Sequence, residues 1–251
     1  MLKKLTLLRE RVEGWNRYPF TVPVIANLSE ILFHSRVCFF AGENGTGKST
    51  LLEAIAAHYG FGREGGTRSF ANDTTESNRS IDPLVKALRL SFDNRTGAGY
   101  FLRAESFFNA ASYIDEVGMT ESYGGRSLHT RSHGETFFTV LDLKFRRNGL
   151  FLLDEPEAAL SPQRQLAFLV LIHDALRKYS DAQFIISSHS PVLLGYPEAQ
   201  IISFDDKGLR EITYEETASL QIVRRFVSDR KSFLNDLFEE SPSLFDDGTK
   251  S

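Results

Sequence analysis

Nine consecutive residues, from position 42 to position 50, have the composition of a loop that binds phosphate groups. In chain order they are Gly42, Glu43, Asn44, Gly45, Thr46, Gly47, Lys48, Ser49 and Thr50. The three glycines lack a Cβ atom, so the backbone can turn tightly and point its N–H groups at phosphate oxygens. The ammonium group of Lys48 can reach the β- and γ-phosphates of a nucleotide, and the Ser49 hydroxyl can bind Mg²⁺. The pattern therefore predicts a nucleotide-phosphate site.

Two acidic residues and a histidine lie further along the chain, at the ends of apolar runs. Asp154 and Glu155 follow the run at 150–153, and His189 follows another such run. Asp154 is suited to hold Mg²⁺, directly or through water, opposite Ser49. Glu155 can accept a proton from an attacking water molecule. Adjacent acids at a strand end are common, so the phosphate loop is what makes this pair informative.

The elements that must position these residues alternate between strands and helices. An apolar run at 37–40 leads into the loop, and residues 48–59 have helical spacing with Gly60 as a stop. A further helix is predicted to begin at Ser161 and Pro162, a hydroxyl N-cap followed by proline in the first turn. Strands that alternate with helices imply a parallel sheet whose chemistry lies at the C-terminal ends of its strands. The predicted class is α/β.

The rest of the chain predicts smaller elements. Antiparallel hairpins are expected at two places, residues 88–92 with 100–103 and residues 201–204 with 209–214. Further segments are strands at 5–8 and 20–25, a surface loop at 61–80, a helix and glycine-containing loop across 107–127, and helices at 217–238. Residues 241–251 are expected to form a disordered tail.

Composition is that of an ordinary globular protein, with 41% hydrophobic and 25% charged residues among 251. The net charge of -4 gives no overall attraction to nucleic acid or to an anionic membrane. Cys38, the single cysteine, has no disulfide partner and is expected in the core. The N-terminus becomes charged too early for a signal peptide, and no apolar run approaches the roughly 18 to 20 residues of a membrane span. We therefore expect a cytoplasmic protein without membrane insertion.

Four segments in a fixed order extend the pattern beyond the phosphate loop. After the loop come Arg131-Ser132-His133-Gly134-Glu135, Leu152-Leu153-Asp154-Glu155-Pro156, Ala159-Leu160-Ser161-Pro162 and Ser188-His189-Ser190-Pro191. The set resembles an ABC-type ATPase, and more closely the small stand-alone AAA-family ATPases allied to the RecF and SMC group. The resemblance covers residues from about 18 to about 235. The 22 residues from Ser132 to Asp154 leave room for one helix and a return strand, and the 34 from Glu155 to His189 leave room for a helix and the next strand.

This resemblance implies a P-loop NTPase fold with a mostly parallel core sheet, an antiparallel β subdomain and a small helical subdomain. The domain would span residues 1–240, with the helical subdomain at about 106–148. ATP and Mg²⁺ would be the cofactors, and the activity would be hydrolysis of ATP to ADP and phosphate.

The resemblance further implies a composite site between two copies of the chain. ATP held by one phosphate loop would be covered by Ser132, Gly134 and Glu135 of the other copy, in a head-to-tail homodimer that closes on ATP. Glu155 would be the general base, and His189 would contact the γ-phosphate and position the water molecule. A monomer would then be a poor catalyst.

Three positions depart from the family pattern. Glu105 stands where a glutamine is expected, and it could still accept a hydrogen bond from metal-bound water. His133 replaces a small residue, and Ser161 replaces the aspartate that is usual in transporter ATPases. Separately, three aromatic residues are candidates for stacking on the nucleotide base, although aromatic residues in strands are more often core: Trp15, Tyr18 and Phe20.

Two other functions stay open at this point. One is a nucleotide-gated switch with little turnover, serving in a defence or DNA-repair complex, with a protein partner or DNA as its target. The other is the nucleotide-binding subunit of a transporter, which the Ser161 and Glu105 departures weaken. An enzyme is favoured over a switch, which could have lost one of the four residues that hydrolysis needs, because all four are present: Lys48, Asp154, Glu155 and His189. A P-loop kinase is disfavoured because its reaction does not need a histidine such as His189.

Overall fold

The computed structural model describes residues 1–62, 65–66, 80–103, 133–205 and 208–240, with the backbone alone at 133–136 and 240. Nine strands lie in these ranges: β1 (Leu2–Leu7), β2 (Glu30–Leu32), β3 (Val37–Ala41), β4 (Leu88–Phe92), β5 (Gly99–Arg103), β6 (Gly149–Asp154), β7 (Ala182–Ser188), β8 (Gln200–Ser203) and β9 (Arg210–Ile212). Eight helices accompany them: α1 (Pro23–Ala26), α2 (Lys48–Tyr59), α3 (Asp82–Ala87), α4 (His133–Lys144), α5 (Pro162–Lys178), α6 (Pro191–Leu194), α7 (Ala218–Ser228) and α8 (Arg230–Glu240).

The larger sheet has six strands in the order β5-β6-β7-β3-β8-β9. All neighbours are parallel except β8 and β9, which pair antiparallel. Strands β3, β6 and β7 are buried along their whole length, as expected of parallel strands covered on both faces. Their C-terminal ends therefore meet at one edge of the sheet, where Asp154 lies beside Ser187. The predicted α/β class with a mostly parallel core is confirmed.

Two hydrophobic clusters cover the two faces of this sheet. Because side chains alternate along a strand, Phe40 faces one cluster and Phe39 faces the other. The Phe40 cluster includes Leu52 of α2, and the Phe39 cluster includes Phe168 of α5. Helices on both faces thus fix the strand ends rigidly.

A second, three-stranded sheet has the order β2-β1-β4 and is entirely antiparallel. The buried Gln183 side chain joins the two sheets, since its Oε1 accepts from the Leu2 N–H at 2.7 Å and its Nε2 donates to the Leu2 carbonyl at 2.9 Å. The predicted antiparallel β subdomain is confirmed.

The predicted hairpin of residues 88–92 with 100–103 is wrong. Strand β4 pairs with β1, whereas β5 joins the large sheet parallel to β6. The turn residues between them suggested direct pairing, but residues 99–102 are all buried, which a solvated hairpin strand would not allow. Gly99 packs so closely on β6 that a Cβ there would lie 1.9 Å from the Leu150 carbonyl oxygen.

The strand predicted at residues 20–25 is also wrong. Pro23 begins the short helix α1, where its missing N–H costs nothing because that position has no partner inside a helix. Phe20 precedes the helix in a turn and is buried.

Other predicted elements are confirmed. They are the strands near 5–8, 37–40, 150–153 and 184–186, the helix after the loop, the helix from Ser161, the hairpin of 201–204 with 209–214, and the helices of 217–238. The Ser161 hydroxyl caps its helix by accepting from the Arg164 N–H. The helix predicted in 107–127, most of the 61–80 loop and the 241–251 tail lie outside the described residues.

Helices α7 and α8 form a hairpin held by an edge-to-face contact of Phe226 with Phe233 and by an ion pair of Arg225 with Asp236 at 3.0 Å. Exposed large apolar side chains are concentrated on these helices: Ile222, Val223, Phe226, Val227, Leu237 and Phe238. Within the ranges that the structure describes, no helix is both long and apolar enough to cross a membrane.

Candidate nucleotide site

The phosphate loop, residues 42–47 between β3 and α2, is built on glycines in left-handed backbone conformations. Gly42 has φ 147°, Gly45 has φ 82° and Gly47 has φ 103°. A Cβ at Gly42 would lie 2.8 Å from Asp205 Oδ1, and one at Gly47 would lie 2.9 Å from Val22 Cγ1. Both the conformation and the crowding therefore require glycine at these two positions.

The Lys48 ammonium group lies inside the loop and is almost fully buried. It donates to the carbonyl oxygens of Gly42 at 2.7 Å and Glu43 at 2.6 Å. Burial lowers the pKa of Lys48, and the nearby charges of Glu155 and Asp154 partly oppose this shift. An ammonium group has three donors, so Lys48 can hold the loop and still bind an anion there.

Ser49 and Asp154 come together at the edge of the sheet. The Ser49 hydroxyl donates to Asp154 Oδ1 at 2.9 Å. Burial raises the pKa of Asp154, while the hydrogen bond from Ser49 and the charge of Arg103 lower it. A hydroxyl and a carboxylate are oxygen donors of the kind that Mg²⁺ prefers, so this pair fits the predicted metal.

Arg103, at the end of β5, is a charged neighbour that the sequence analysis did not identify. It donates to Glu53 Oε2 at 3.3 Å, and its Nε is 3.9 Å from Asp154 Oδ2. The parallel pairing of β5 with β6, which puts Arg103 opposite Asp154, is what brings it here. The hairpin prediction paired β5 with β4, so it did not indicate that Arg103 lies near Asp154.

Glu155 follows β6 in an unusual backbone conformation, with φ 48° and ψ 52°. Non-glycine residues seldom adopt this left-handed region, and such residues cluster at functional sites. The Glu155 N–H donates to the Ser187 carbonyl of β7 at 3.0 Å, which anchors the turn. The chain then enters a 3-10 turn, Pro156–Ala159.

His189 lies just beyond β7, on the same sheet edge as Glu155, with its side chain 51% exposed. Glu157 of the 3-10 turn approaches it from inside the protein. Its Oε1 accepts from the His189 backbone N–H at 2.8 Å and lies 3.5 Å from His189 Nδ1. No signal in the sequence indicates this contact, because an acidic residue in a turn is ordinarily solvated.

Asp205, immediately after β8, contacts the first turn of the phosphate loop. Its Oδ1 accepts from the Glu43 N–H at 2.9 Å. Strand β8 is paired with β3, so the end of β8 lies beside the start of the loop. In the sequence Asp205 is part of a hairpin turn, and no signal there indicates this contact. Within the loop, the Thr46 hydroxyl donates to the Glu43 carbonyl at 2.9 Å.

The three aromatic candidates lie in different environments. Phe20 is buried, and Trp15 has one ring face covered by the Arg9 guanidinium at 4.2 Å from the centroid. Tyr18 is 47% exposed, and its hydroxyl oxygen is 3.0 Å from Oγ1 of Thr50. Of the three, Tyr18 is therefore the one directly joined to the phosphate-loop helix.

Comparison with protein families gives two matches. A family model described as "AAA domain" matches residues 12–155, more than half of the chain. The chain belongs to this AAA domain family. A second model, described as "AAA domain, putative AbiEii toxin, Type IV TA system", matches residues 131–195. The resemblance to AAA-family P-loop ATPases predicted from the sequence is thereby confirmed. No curated protein matches the chain.

Solved structures similar to this AAA domain include an SMC head domain from Thermotoga maritima. That structure is 18% identical, with a TM-score of 0.44, over 84% of this chain and 98% of the other. CbiO1 from Clostridium perfringens, described as part of the ABC transporter complex cbiONQ, is 16% identical, with a TM-score of 0.43, over 84% of this chain and 91% of the other. An SmcHead bound to the C-winged helix domain of ScpA is 14% identical, with a TM-score of 0.43, over 84% of this chain and 96% of the other.

In this AAA domain the described site residues lie in two places, the C-terminal edge of the large sheet and the start of helix α4. Ser49, which directly follows the phosphate loop and Lys48, contacts Asp154, and Glu155 and His189 lie at the same sheet edge. Gly134 and Glu135 lie in the first turn of α4. Ser132 and Glu105 lie outside the described residues, and their roles stay predictions.

Proposed function

We propose that this AAA domain is an ATPase that binds ATP with Mg²⁺ and hydrolyses it to ADP and phosphate. The observation that carries the proposal is the contact between the loop and the strand end, in which Ser49 donates to Asp154 beside the buried Lys48. A cation suited to phosphate and an oxygen pair suited to Mg²⁺ thus lie next to each other, since Lys48 and Ser49 are adjacent in the chain. Glu155 and His189 on the neighbouring turns supply the groups that hydrolysis needs in addition.

Mg²⁺ would be held by the Ser49 hydroxyl and the Asp154 carboxylate. When bound, it would neutralise charge on the phosphate oxygens. Arg103 limits the net negative charge around Asp154 and so keeps the carboxylate in place when the nucleotide is absent. A side chain at Gly42 or Gly47 would collide with Asp205 or Val22 respectively, so it would displace the loop from this position.

The protein groups would act mainly by positioning and by charge. Lys48 would donate to the β- and γ-phosphates while it keeps contact with the loop carbonyls. Glu155 would accept the proton of the attacking water molecule, and His189 would contact the γ-phosphate. The bond from the γ-phosphorus to the β,γ-bridging oxygen breaks as water oxygen bonds to that phosphorus, which balances ATP and water against ADP and phosphate.

Two copies of the chain would complete each site in a head-to-tail homodimer. Helix α4, of 12 residues, begins at His133, so Gly134 lies in its first turn where the helix dipole is positive. Ser132, Gly134 and Glu135 of one copy would then cover the γ-phosphate bound by the other copy. This arrangement explains why His189 is half exposed in a single chain.

Tyr18 is our candidate for the contact with the adenine base. Its ring is partly exposed and its hydroxyl is tied to Thr50, at the start of the helix that follows the loop. Tyrosine supplies a flat face for stacking at little cost in side-chain entropy.

The deciding experiment measures the mass of a Glu155→Gln variant in solution with and without ATP and Mg²⁺. Loss of the general base should lower turnover by about 10²- to 10⁴-fold while binding is retained. We therefore expect a dimer that forms only with ATP and lasts much longer than the wild type takes to hydrolyse one ATP molecule. Glu215→Gln, which neutralises an exposed acid elsewhere, is the matched control and should behave as the wild type.

Two results would contradict the proposal. If Glu155→Gln hydrolyses ATP at the wild-type rate, Glu155 is not the general base. If the variant binds ATP with Mg²⁺ but remains monomeric, the composite site between two copies is wrong.

A further inference from the structure

Glu157 is a buried acid to which the proposed chemistry assigns no role. Its side chain is 6% exposed, and all of its hydrogen bonds in the described part of the chain end on one oxygen, Oε1. That oxygen accepts from the Ser188 hydroxyl at 2.7 Å and from the His189 N–H at 2.8 Å. The other oxygen, Oε2, is buried and accepts no hydrogen bond from the described residues.

A neutral amide could make both of these hydrogen bonds equally well. Glutamine has the same shape as glutamate, and its single carbonyl oxygen can accept from a hydroxyl and an N–H together. Burying a charge costs more than burying an amide, so structural support alone would favour glutamine here. The negative charge of Glu157 therefore needs another explanation.

The remaining neighbour of Oε1 is the imidazole ring of His189, whose Nδ1 is 3.5 Å away. The side chain of His189 as a whole is 51% exposed, and Nε2 is the ring nitrogen on the edge away from Nδ1. Contacts of this type are often long in ligand-free sites and shorten when substrate binds. A carboxylate beside Nδ1 favours a proton on that nitrogen.

We propose that Glu157 is a positioning residue for His189. Its carboxylate keeps a proton on Nδ1 and holds the ring plane, and thereby presents Nε2 to the bound nucleotide. The short turn Pro156–Ala159 carries Glu157 only two residues beyond Glu155, so one turn orients both the general base and the histidine. This inference rests on the proposed ATPase function.

The first test compares the steady-state kinetics of Glu157→Gln with those of the wild type. The variant keeps both hydrogen bonds of Oε1 and loses the charge. We expect kcat to fall about 10- to 100-fold, with KM for ATP within about threefold, because the histidine acts after binding. The melting temperature should be unchanged or higher, since a buried charge is removed. An unchanged kcat in an active wild-type background would overturn the positioning role.

A double-mutant cycle with His189→Ala separates this role from general structural support. If Glu157 acts through the ring, adding Glu157→Gln to His189→Ala should cause no further loss of kcat. Multiplicative losses would show that Glu157 acts elsewhere and would overturn the inference. His173→Ala, at an exposed position of α5, is the control partner, and with it the Glu157→Gln effect should remain complete.

A second measurement does not depend on turnover. Nitrogen-15 NMR of the imidazole rings reports which nitrogen carries the proton, and His189→Ala assigns the signal among the six histidines. We expect a proton on Nδ1 of His189 in the wild type and a mixture of tautomers in Glu157→Gln. A neutral ring protonated only on Nε2 in the wild type would overturn the inference. Absence of ATP hydrolysis together with an Nδ1 proton would instead contradict the proposed function alone.

Discussion

The phosphate side and the water side of the candidate site are built differently. On the phosphate side, Lys48 and Ser49 already contact the loop carbonyls and Asp154 within a single chain. On the water side, Glu155 is anchored through its backbone N–H, and His189 is half exposed. The contacts of the phosphate side are thus complete within one chain. On the water side His189 is open to solvent, where a second molecule can contact it.

Burial explains the difference. Lys48 and Asp154 lie between a buried strand end and the first turn of α2, where an uncompensated charge would be costly. Each therefore has its own partner inside the chain, the loop carbonyls for Lys48 and the Ser49 hydroxyl for Asp154. His189 reaches solvent and carries no such penalty. Substitution of Lys48 should therefore mainly affect ATP binding, that of Asp154 should mainly affect Mg²⁺-dependent hydrolysis, and substitutions on the water side should affect turnover with little change in binding.

The largest effect is expected from Lys48→Ala, which removes the buried cation of the phosphate side. ATP affinity should fall at least about 100-fold, or about 2.7 kcal/mol, because charge-assisted hydrogen bonds to the phosphates are lost. Isothermal titration calorimetry measures this directly. Lys231→Ala, on the exposed helix α8, is the control and should bind normally. Equal affinity in both variants would mean that Lys48 does not bind phosphate.

The same lysine predicts a pH dependence. Burial lowers the pKa of Lys48, so its ammonium group loses its proton at a lower pH than an ordinary lysine does. ATP affinity should therefore weaken on the alkaline side before exposed lysines titrate. Calorimetric titrations at increasing pH test this, and an affinity that stays constant until ordinary lysines lose their charge would contradict it.

Asp154→Asn should lower ATP affinity less than Lys48→Ala does. It should strongly reduce Mg²⁺-dependent hydrolysis. Hydrolysis should fall at least about 100-fold because charge stabilisation through the metal is lost. Burial raises the pKa of Asp154, so the folded chain holds this proton more tightly than the unfolded chain does. The charged form therefore destabilises the protein above that pKa, and asparagine should leave the melting temperature equal or higher.

Its control is Asp174→Asn, at an exposed position of α5. That change should alter neither Mg²⁺-dependent hydrolysis nor thermal unfolding. If Asp154→Asn instead lowers the melting temperature markedly, the carboxylate is there for stability and the division into two sides loses its basis.

The smallest effect is expected from Tyr18→Phe, which keeps the ring and removes the hydroxyl near Thr50. A neutral hydrogen bond contributes about 0.5–1.5 kcal/mol, so KM for ATP should rise no more than about 10-fold, with kcat unchanged. Tyr18→Ala should raise KM further because the stacking face is lost. Tyr179→Phe, at the far end of α5, is the control in the same kinetic assay. A fall in kcat alone would assign Tyr18 to the water side.

Local signals in the sequence were sufficient for the phosphate loop, the capped helix from Ser161 and the buried strand before Asp154. Each depends on neighbours within a few residues, such as glycine where φ is positive or a hydroxyl ahead of proline. The family resemblance added a role for His189 in contacting the γ-phosphate, and the roles of Glu155 and His189 stay predictions. Nothing local could assign β5 to the large sheet, since a turn sequence does not specify which strand is the partner.

The sequence alone determined which residue types are available to the candidate site, because phosphate binding needs particular residue types at particular spacing. Only the tertiary structure decided which charges meet. Arg103, Glu157 and Asp205 reach the site through the parallel order of β5, β6, β7, β3 and β8, and their partners are distant along the chain. Contacts between separate strands depend on how the whole sheet packs, so no single segment of the sequence determines them.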